Sequence, residues 1–258
     1  MLRERLRGLT VRALRAGLRR LGAEPGRYPR DFGPAEVGLC EAVAPYTMTS
    51  PERVVALRDA VRYVVARGLP GAFVECGVWR GGSMMVVART LLELGAADRE
   101  LYLFDTFAGM PPPADVDRSL EGRHADDEWA ARAGDAPISE WCRAGLAEVE
   151  RNLLATGYPA ARLHLVPGLV EETLPAGAPA AIALLRLDTD WYSSTRHELE
   201  HLYPRLAPGA PLMVDDYGHW GGARQAVDEY FVARGEAVLL QRVDYTARLL
   251  VKPPLGDP

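Results

Sequence analysis

What most constrains this chain is a rhythm that begins at Ala72. Short apolar runs of strand length alternate with longer stretches of helical period. AFVECG (72–77) is followed by a helical run over 83–94, and LYLFD (101–105) comes next. RLHLVPG (162–168), IALLRLD (182–188) and GAPLMVDD (209–216) are spaced by helical stretches at 141–157 and 192–206, with another at 223–234. This order predicts a mostly parallel sheet, because parallel strands need a long crossover and a helix usually supplies it. Two last apolar runs, AVLLQRV and ARLLVKP, are separated only by Asp244–Thr246. So short a connection predicts an antiparallel hairpin at the end of the sheet.

The first strand and the loop after it, AFVECGVWRGGS (72–83), place Glu75 at a strand end and then Gly77, Gly81 and Gly82 before a helix. Glycines let backbone approach a ligand, and a helix N-terminus offers unpaired N–H groups. The order E-x-G-x-x-x-G-G-S differs from the G-x-G-x-x-G of a dinucleotide binder. An acid ahead of the first glycine would repel a pyrophosphate. It suits a ligand with an ammonium group, such as the methionine part of S-adenosylmethionine. Asp105, about 20 residues past the glycine loop, is placed for a ribose diol. Upstream, YTMTSPER (46–53) gives Ser50 as an N-cap and Pro51 at the first helical position, and sets Thr47, Met48 and Thr49 near the cofactor mouth.

In open α/β sheets ligands bind outside the carboxyl ends of the strands. Glu75, Asp105, Asp188, Asp215 and Asp216 all fall at such ends. One strand-end acid is uninformative, since Asp is also a common turn and cap residue. Five of them point to a shared site. Asp188, Asp215 and Asp216 are oxygen donors suited to a hard divalent cation such as Mg²⁺. A dication would lower the pKa of an acceptor hydroxyl, and a carboxylate, Asp188, would take its proton. His219, in VDDYGHWGG, is the rival base because imidazole titrates near neutrality, and Trp220 is expected beside it on the acceptor side. Asp190 reads as an N-cap for the next helix, and His197 and His201 read as part of a solvated helix face.

Composition excludes several classes. A formal net charge of −5 gives no reason to expect a nucleic-acid surface. No apolar run approaches the roughly 20 residues of a membrane span. Cys40, Cys76 and Cys142 are widely spaced, which argues against disulfides and zinc and for a reducing, cytoplasmic setting. Met1–Gly22 carries leucines at helical spacing among arginines, an amphipathic run expected to pack on the domain or on a second subunit rather than on a membrane. The expected organisation is a helical arm over 1–45 and a catalytic domain over 46–258. Within that domain, the long, acidic, proline-rich stretch 106–137 reads as a lid-like insertion without structure of its own.

YTMTSPER, FVECGVWRGGSM, LYLFDTFAGMP, LLRLDTDWYSST and LYPRLAPGAPLMVDDYGHWGGARQAVDEYF together resemble the macrocin O-methyltransferase family. The resemblance implies a class I methyltransferase fold, Rossmann-like, with a seven-stranded mostly parallel sheet. It also implies S-adenosylmethionine and Mg²⁺ as cofactors, a sugar hydroxyl of a glycosylated antibiotic as acceptor, and a homo-oligomer. Position by position, Asp188, Asp215 and Asp216 match the metal ligands, and Asp188 the proposed base. Glu75, Cys76, Gly77, Trp79, Arg80, Gly81, Gly82 and Ser83 match the cofactor loop. Asp105, Thr106 and Phe107 match the ribose segment, and Ser139 and Trp141 fall where adenine is expected. A catechol-type methyltransferase acting on a phenol uses a similar metal arrangement and stays open as the alternative.

Overall fold

The computed structural model describes residues 28–133 and 138–254. The amphipathic run at 1–22 lies outside them. Contacts group the chain into Met1–Gly38 and Leu39–Pro258. Helix α1 covers Pro34–Val43, and α2 covers Pro51–Ala66. Ser50 caps α2, its side chain accepting from the Arg53 amide.

Strands β1 (Ala72–Cys76), β2 (Leu101–Asp105), β3 (Leu163–Pro167), β4 (Ile182–Leu187) and β5 (Pro211–Val214) run parallel, and the last two, β6 (Gln241–Arg242) and β7 (Arg248–Val251), run antiparallel. The spatial order is β3-β2-β1-β4-β5-β7-β6. The chain winds outward from β1 through β3 and then restarts at β4 on the other side of β1. Strands β1 and β4 therefore flank the reversal point, where a parallel sheet leaves a crevice at its carboxyl edge.

Helix α3 (Gly82–Glu93) follows β1, and α5 (Leu146–Leu154) precedes β3. Between β3 and β4 lies the short α6 (Val170–Thr173). Helices α7 (Tyr192–Leu202) and α8 (Gly221–Arg234) flank β5 in sequence. Val74, Cys76, Leu185, Leu187, Leu212 and Val214 form one core with Leu199, Leu202, Val227 and Phe231. Side chains alternate across a strand. The neighbours of those residues, Glu75 and Arg186 among them, therefore face the opposite side, toward α2 and α3. Apart from Arg186, β4 is apolar and buried throughout.

Three segments differ from expectation. Stretch 106–137 is not structureless: α4 spans Ala125–Ala133, with Asp126, Asp127 and Glu128 in its first turn and Arg132 in its last, the polarity a helix dipole favours. Its loop is pinned by buried Asp117, whose carboxylate accepts from the amides of Ala114 and Tyr192, at 2.8 and 2.9 Å. Asp117 thus serves the N-terminus of α7, the role expected of Asp190. The helix expected over 141–157 begins only at Leu146, because Cys142 is held at φ 53° and Gly145 is the cap. The last hairpin is shorter than its apolar runs, with register Gln241↔Leu249 and Arg242↔Arg248.

Candidate active site

A cavity of about 430 Å³ opens at the carboxyl edge of the sheet. Its lining includes Thr47, Met48, Thr49, Gly77, Trp79, Gly82, Ser83, Asp105, Thr106 and Trp141 at one end and Asp188, Asp215, Asp216 and His219 at the other. Glu75, Cys76, Arg80, Gly81, Phe107 and Ser139 are not among the lining residues.

The glycine-loop end is built from backbone. Gly77 has φ 77°, and a Cβ there would overlap the Asp188 carbonyl, so only glycine lets β1 turn this close to β4. Asp105 Oδ2 accepts from the amides of Val78 at 2.7 Å and Trp79 at 3.1 Å, and its Oδ1 from that of Phe107 at 2.7 Å. Burial pushes the Asp105 carboxyl up, and the three amides pull against that shift. The carboxylate expected to meet a ribose thus already fixes the loop that would receive it. Trp79 and Phe107 are both held at positive φ, 44° and 52°, strain that clusters at ligand sites.

The remaining predicted donor residues act behind the wall. Ser139 is fully buried, and its Oγ accepts from the Trp141 amide at 3.0 Å, which sets Trp141 into the cavity. Arg80 spans from Glu148 (2.7 Å) to the Pro45 carbonyl (2.8 Å), tying the loop to the segment before α2. Cys76 is buried in the core, and burial raises its thiol pKa. Glu75, 1% exposed, is turned to the Arg186 guanidinium. Burial pushes its carboxyl up to about 7 despite that partner.

The other end is built from charge. Oxygens of Asp188, Asp215 and Asp216 lie within 4.8 Å of one another. Arg186 runs beneath them: Nη1 donates to Glu75 and to Asp188 Oδ2 (2.7 Å), and Nη2 donates to Asp215 Oδ1. From α2, Arg53 reaches Asp215 Oδ2. Two guanidinium groups therefore offset part of the charge of three crowded carboxylates. Burial and then mutual repulsion still push Asp216 well up, and for Asp188 burial outweighs Arg186. Asp216 Oδ2 is buried without a hydrogen-bond partner. An orphaned carboxylate oxygen facing two further carboxylates is a donor set that fits a hard dication.

Asp190 is the residue that sequence reasoning misplaced. At φ 66° its carboxyl turns back from α7 against Asp216 and the Trp220 side chain. Burial, and then Asp188, push it up to about 7. His219 stacks edge-on with Trp220 at 4.8 Å. Its Nδ1 is buried without a partner, and burial lowers its pKa, which favours neutral imidazole. Trp141, Trp191 and Trp220 pack edge to face, with centroids 5.1–6.1 Å apart. Arg186 and Arg53 were not anticipated at all. The one available signal was an arginine inside the otherwise apolar run IALLRLD.

The strand order, the glycine loop after β1 and the carboxylates at the ends of β4 and β5 define a class I methyltransferase. The chain belongs to the macrocin O-methyltransferase family, matching its description, Macrocin-O-methyltransferase (TylF), over residues 31–252. It is an O-methyltransferase of an S-adenosylmethionine-dependent family. It is similar to mycinamicin III 3''-O-methyltransferase of Micromonospora griseorubida, 34% identical over 72% of this chain and 70% of that one. The tetracenomycin-C rhamnosyl 4'-O-methyltransferase of Streptomyces olivaceus is 31% identical over 84% of this chain and 79% of its own. Among solved structures, the O-methyltransferase NovP superposes with a TM-score of 0.69 at 29% identity, covering 81% of this chain and 83% of that one.

Proposed function

We propose that this chain transfers the methyl group of S-adenosylmethionine to a sugar hydroxyl on a glycosylated natural product, with Mg²⁺ at the aspartate cluster. The observation that carries this reading is the shared cavity: a backbone-built donor loop and three carboxylates within 4.8 Å of one another line the same space. The named relatives act on mycinamicin III and on a rhamnosyl tetracenomycin C, the second of which supports a sugar acceptor.

In this reading Asp188, Asp215 and Asp216 would hold the cation, which would supply positive charge favouring the ionised form of the acceptor hydroxyl. The glycine loop, Thr106 and Trp141 hold the donor. One oxygen of Asp188 and both oxygens of Asp215 are already engaged by arginines. Asp190 is the better base: among the described residues no arginine pairs with it, and it stands beside Asp216 facing the cavity. Trp141 and Trp220 wall off water, and most of the rate comes from holding the oxygen in line with the methyl carbon.

Stretch 111–125 is held against α7 and α8 by Asp117 and by the Trp191 indole, which donates to the Pro111 carbonyl at 3.0 Å. It forms the acceptor-side wall of the lid-like insertion. A homo-oligomer is part of the same reading and is checked by light scattering. Asp188→Ala should lower turnover about 10³-fold or more while S-adenosylhomocysteine still binds within a few-fold of wild type. Unchanged turnover in that variant would remove the proposed mechanism.

A further inference from the structure

Asp215 has both carboxylate oxygens engaged, Oδ1 by Arg186 and Oδ2 by Arg53. The two arginines are not equivalent. Arg186 rises from β4 itself, with a side chain 3% exposed, and it also holds Glu75 and Asp188. It cannot leave Asp215 without stranding a buried glutamate. Arg53 comes from the first turn of α2 and has a second seat within reach, because its Nε lies 2.9 Å from Asp244 Oδ2. That Nε has no aligned acceptor, so the guanidinium bridges the two carboxylates, hydrogen-bonded to Asp215 and only ion-paired with Asp244.

The second seat is rigid. Asp244 Oδ1 accepts from the amides of Thr246 (2.9 Å) and Ala247 (2.8 Å), and Oδ2 accepts from Ser50 Oγ (2.8 Å). Ser50 Oγ in turn accepts from the Arg53 amide. A closed circuit thus joins the acidic cluster, the hairpin tip and the start of α2. The residues just before it, Thr47, Met48 and Thr49, line the donor end of the cavity.

We infer that Arg53 is a positioning residue that competes with the divalent cation for Asp215 Oδ2 and moves onto Asp244 when the cation arrives. This rests on the proposed metal-dependent reading. A dication beside Asp215 repels a guanidinium on the same carboxylate, and Asp244 offers a second, fixed counter-charge already within 2.9 Å of Arg53 Nε.

The test is calorimetric titration of the full-length protein with MgCl₂ alone, after chelator treatment and without acceptor. Arg53→Met removes the competitor and should tighten Mg²⁺ binding about tenfold, the effect of one partly screened charge. Arg53→Lys should restore the wild-type value. Asp244→Asn keeps the amide contacts through its Oδ1 but removes the alternative seat, so Arg53 stays on Asp215 and Mg²⁺ binding should weaken. Opposite signs for the Met and Asn variants are the signature of competition. If Arg53 merely clamps α2, both variants weaken binding, and that result overturns the inference while leaving the metal reading intact. If neither wild type nor variants bind Mg²⁺, the metal reading fails and the inference with it. Should Arg53→Met fail to fold, as judged by circular dichroism, the Lys and Asn variants decide: unchanged or tighter Mg²⁺ binding by Asp244→Asn overturns it.

Discussion

The two ends of the cavity are built on opposite principles. At the glycine-loop end a single carboxylate, Asp105, is satisfied by three backbone amides, and the shape is complete without a ligand. At the acidic end, Glu75, Asp188 and Asp215 share two arginines, and Asp216 and Glu75 each keep an oxygen without a hydrogen-bond partner among the described residues. The first end is preorganised by main-chain geometry. The second is electrostatically incomplete and waits for positive charge. The halves meet at Gly77, where β1 passes against the Asp188 backbone. In the proposed reading, a donor loop of this kind binds in the absence of metal, whereas the acidic end needs the cation to position an acceptor.

Replacing Asp190 acts on the acidic end alone. Asp190→Asn should lower turnover by about 10²–10⁴-fold with donor affinity unchanged, as for loss of a general base. Single-turnover methyl transfer beside a donor titration separates the two quantities. Equal loss in Asp188→Asn and none in Asp190→Asn would return the base role to Asp188.

Stability gives the next contrast. Arg186→Met leaves Glu75 buried without a cation and Asp215 with Arg53 alone, and should cost about 3–5 kcal/mol in chemical denaturation. Asp105→Ala frees three amides that water in the cavity can reach, so its cost should be smaller, about 1–2 kcal/mol, with donor affinity falling as well. If the two costs were equal, the distinction between a backbone-built and a charge-built end would fail.

The last contrast is in pH. Glu75 has its carboxyl raised from 4.5 to about 7 by burial, so the folded chain holds that proton more tightly than the unfolded chain. Its contribution to stability is present below about pH 4.5 and is lost as pH rises toward 7, a decline of about 3 kcal/mol. Denaturant melts in chelating buffer across that window should show the slope, and Glu75→Gln should flatten it. Asp244 is shifted the other way, its amide, Ser50 and Arg53 partners outweighing burial. Its contribution is present above about pH 4 and is lost as pH falls through its lowered pKa.

This contrast also explains what could be read from the residues alone. The parallel order, the reversal beside β1 and the donor loop follow from strand-length apolar runs and glycines, which act locally. Asp188, Asp215 and Asp216 were legible because strand ends share one edge. What escaped notice was long-range pairing. Arg53 lies 162 positions from Asp215 and Arg186 lies 111 from Glu75, and no local pattern announces such partners. Asp190 was misread because Asp before a helix is usually a cap, and here Asp117 from a distant loop had taken that place. Helix α4 was hidden in an acidic stretch whose charge reads as solvated loop until Trp129 is seen to donate to the Met110 carbonyl at 2.8 Å.

The most direct measurement is methyl transfer from labelled S-adenosylmethionine to a rhamnosylated or macrolide glycoside acceptor, before and after exhaustive chelation. Activity should vanish in excess EDTA and return with Mg²⁺, while S-adenosylhomocysteine binds with the same affinity throughout. Full activity in EDTA, or donor affinity that collapses with the metal, would contradict an enzyme whose donor end stands complete and whose acceptor end is finished by a cation.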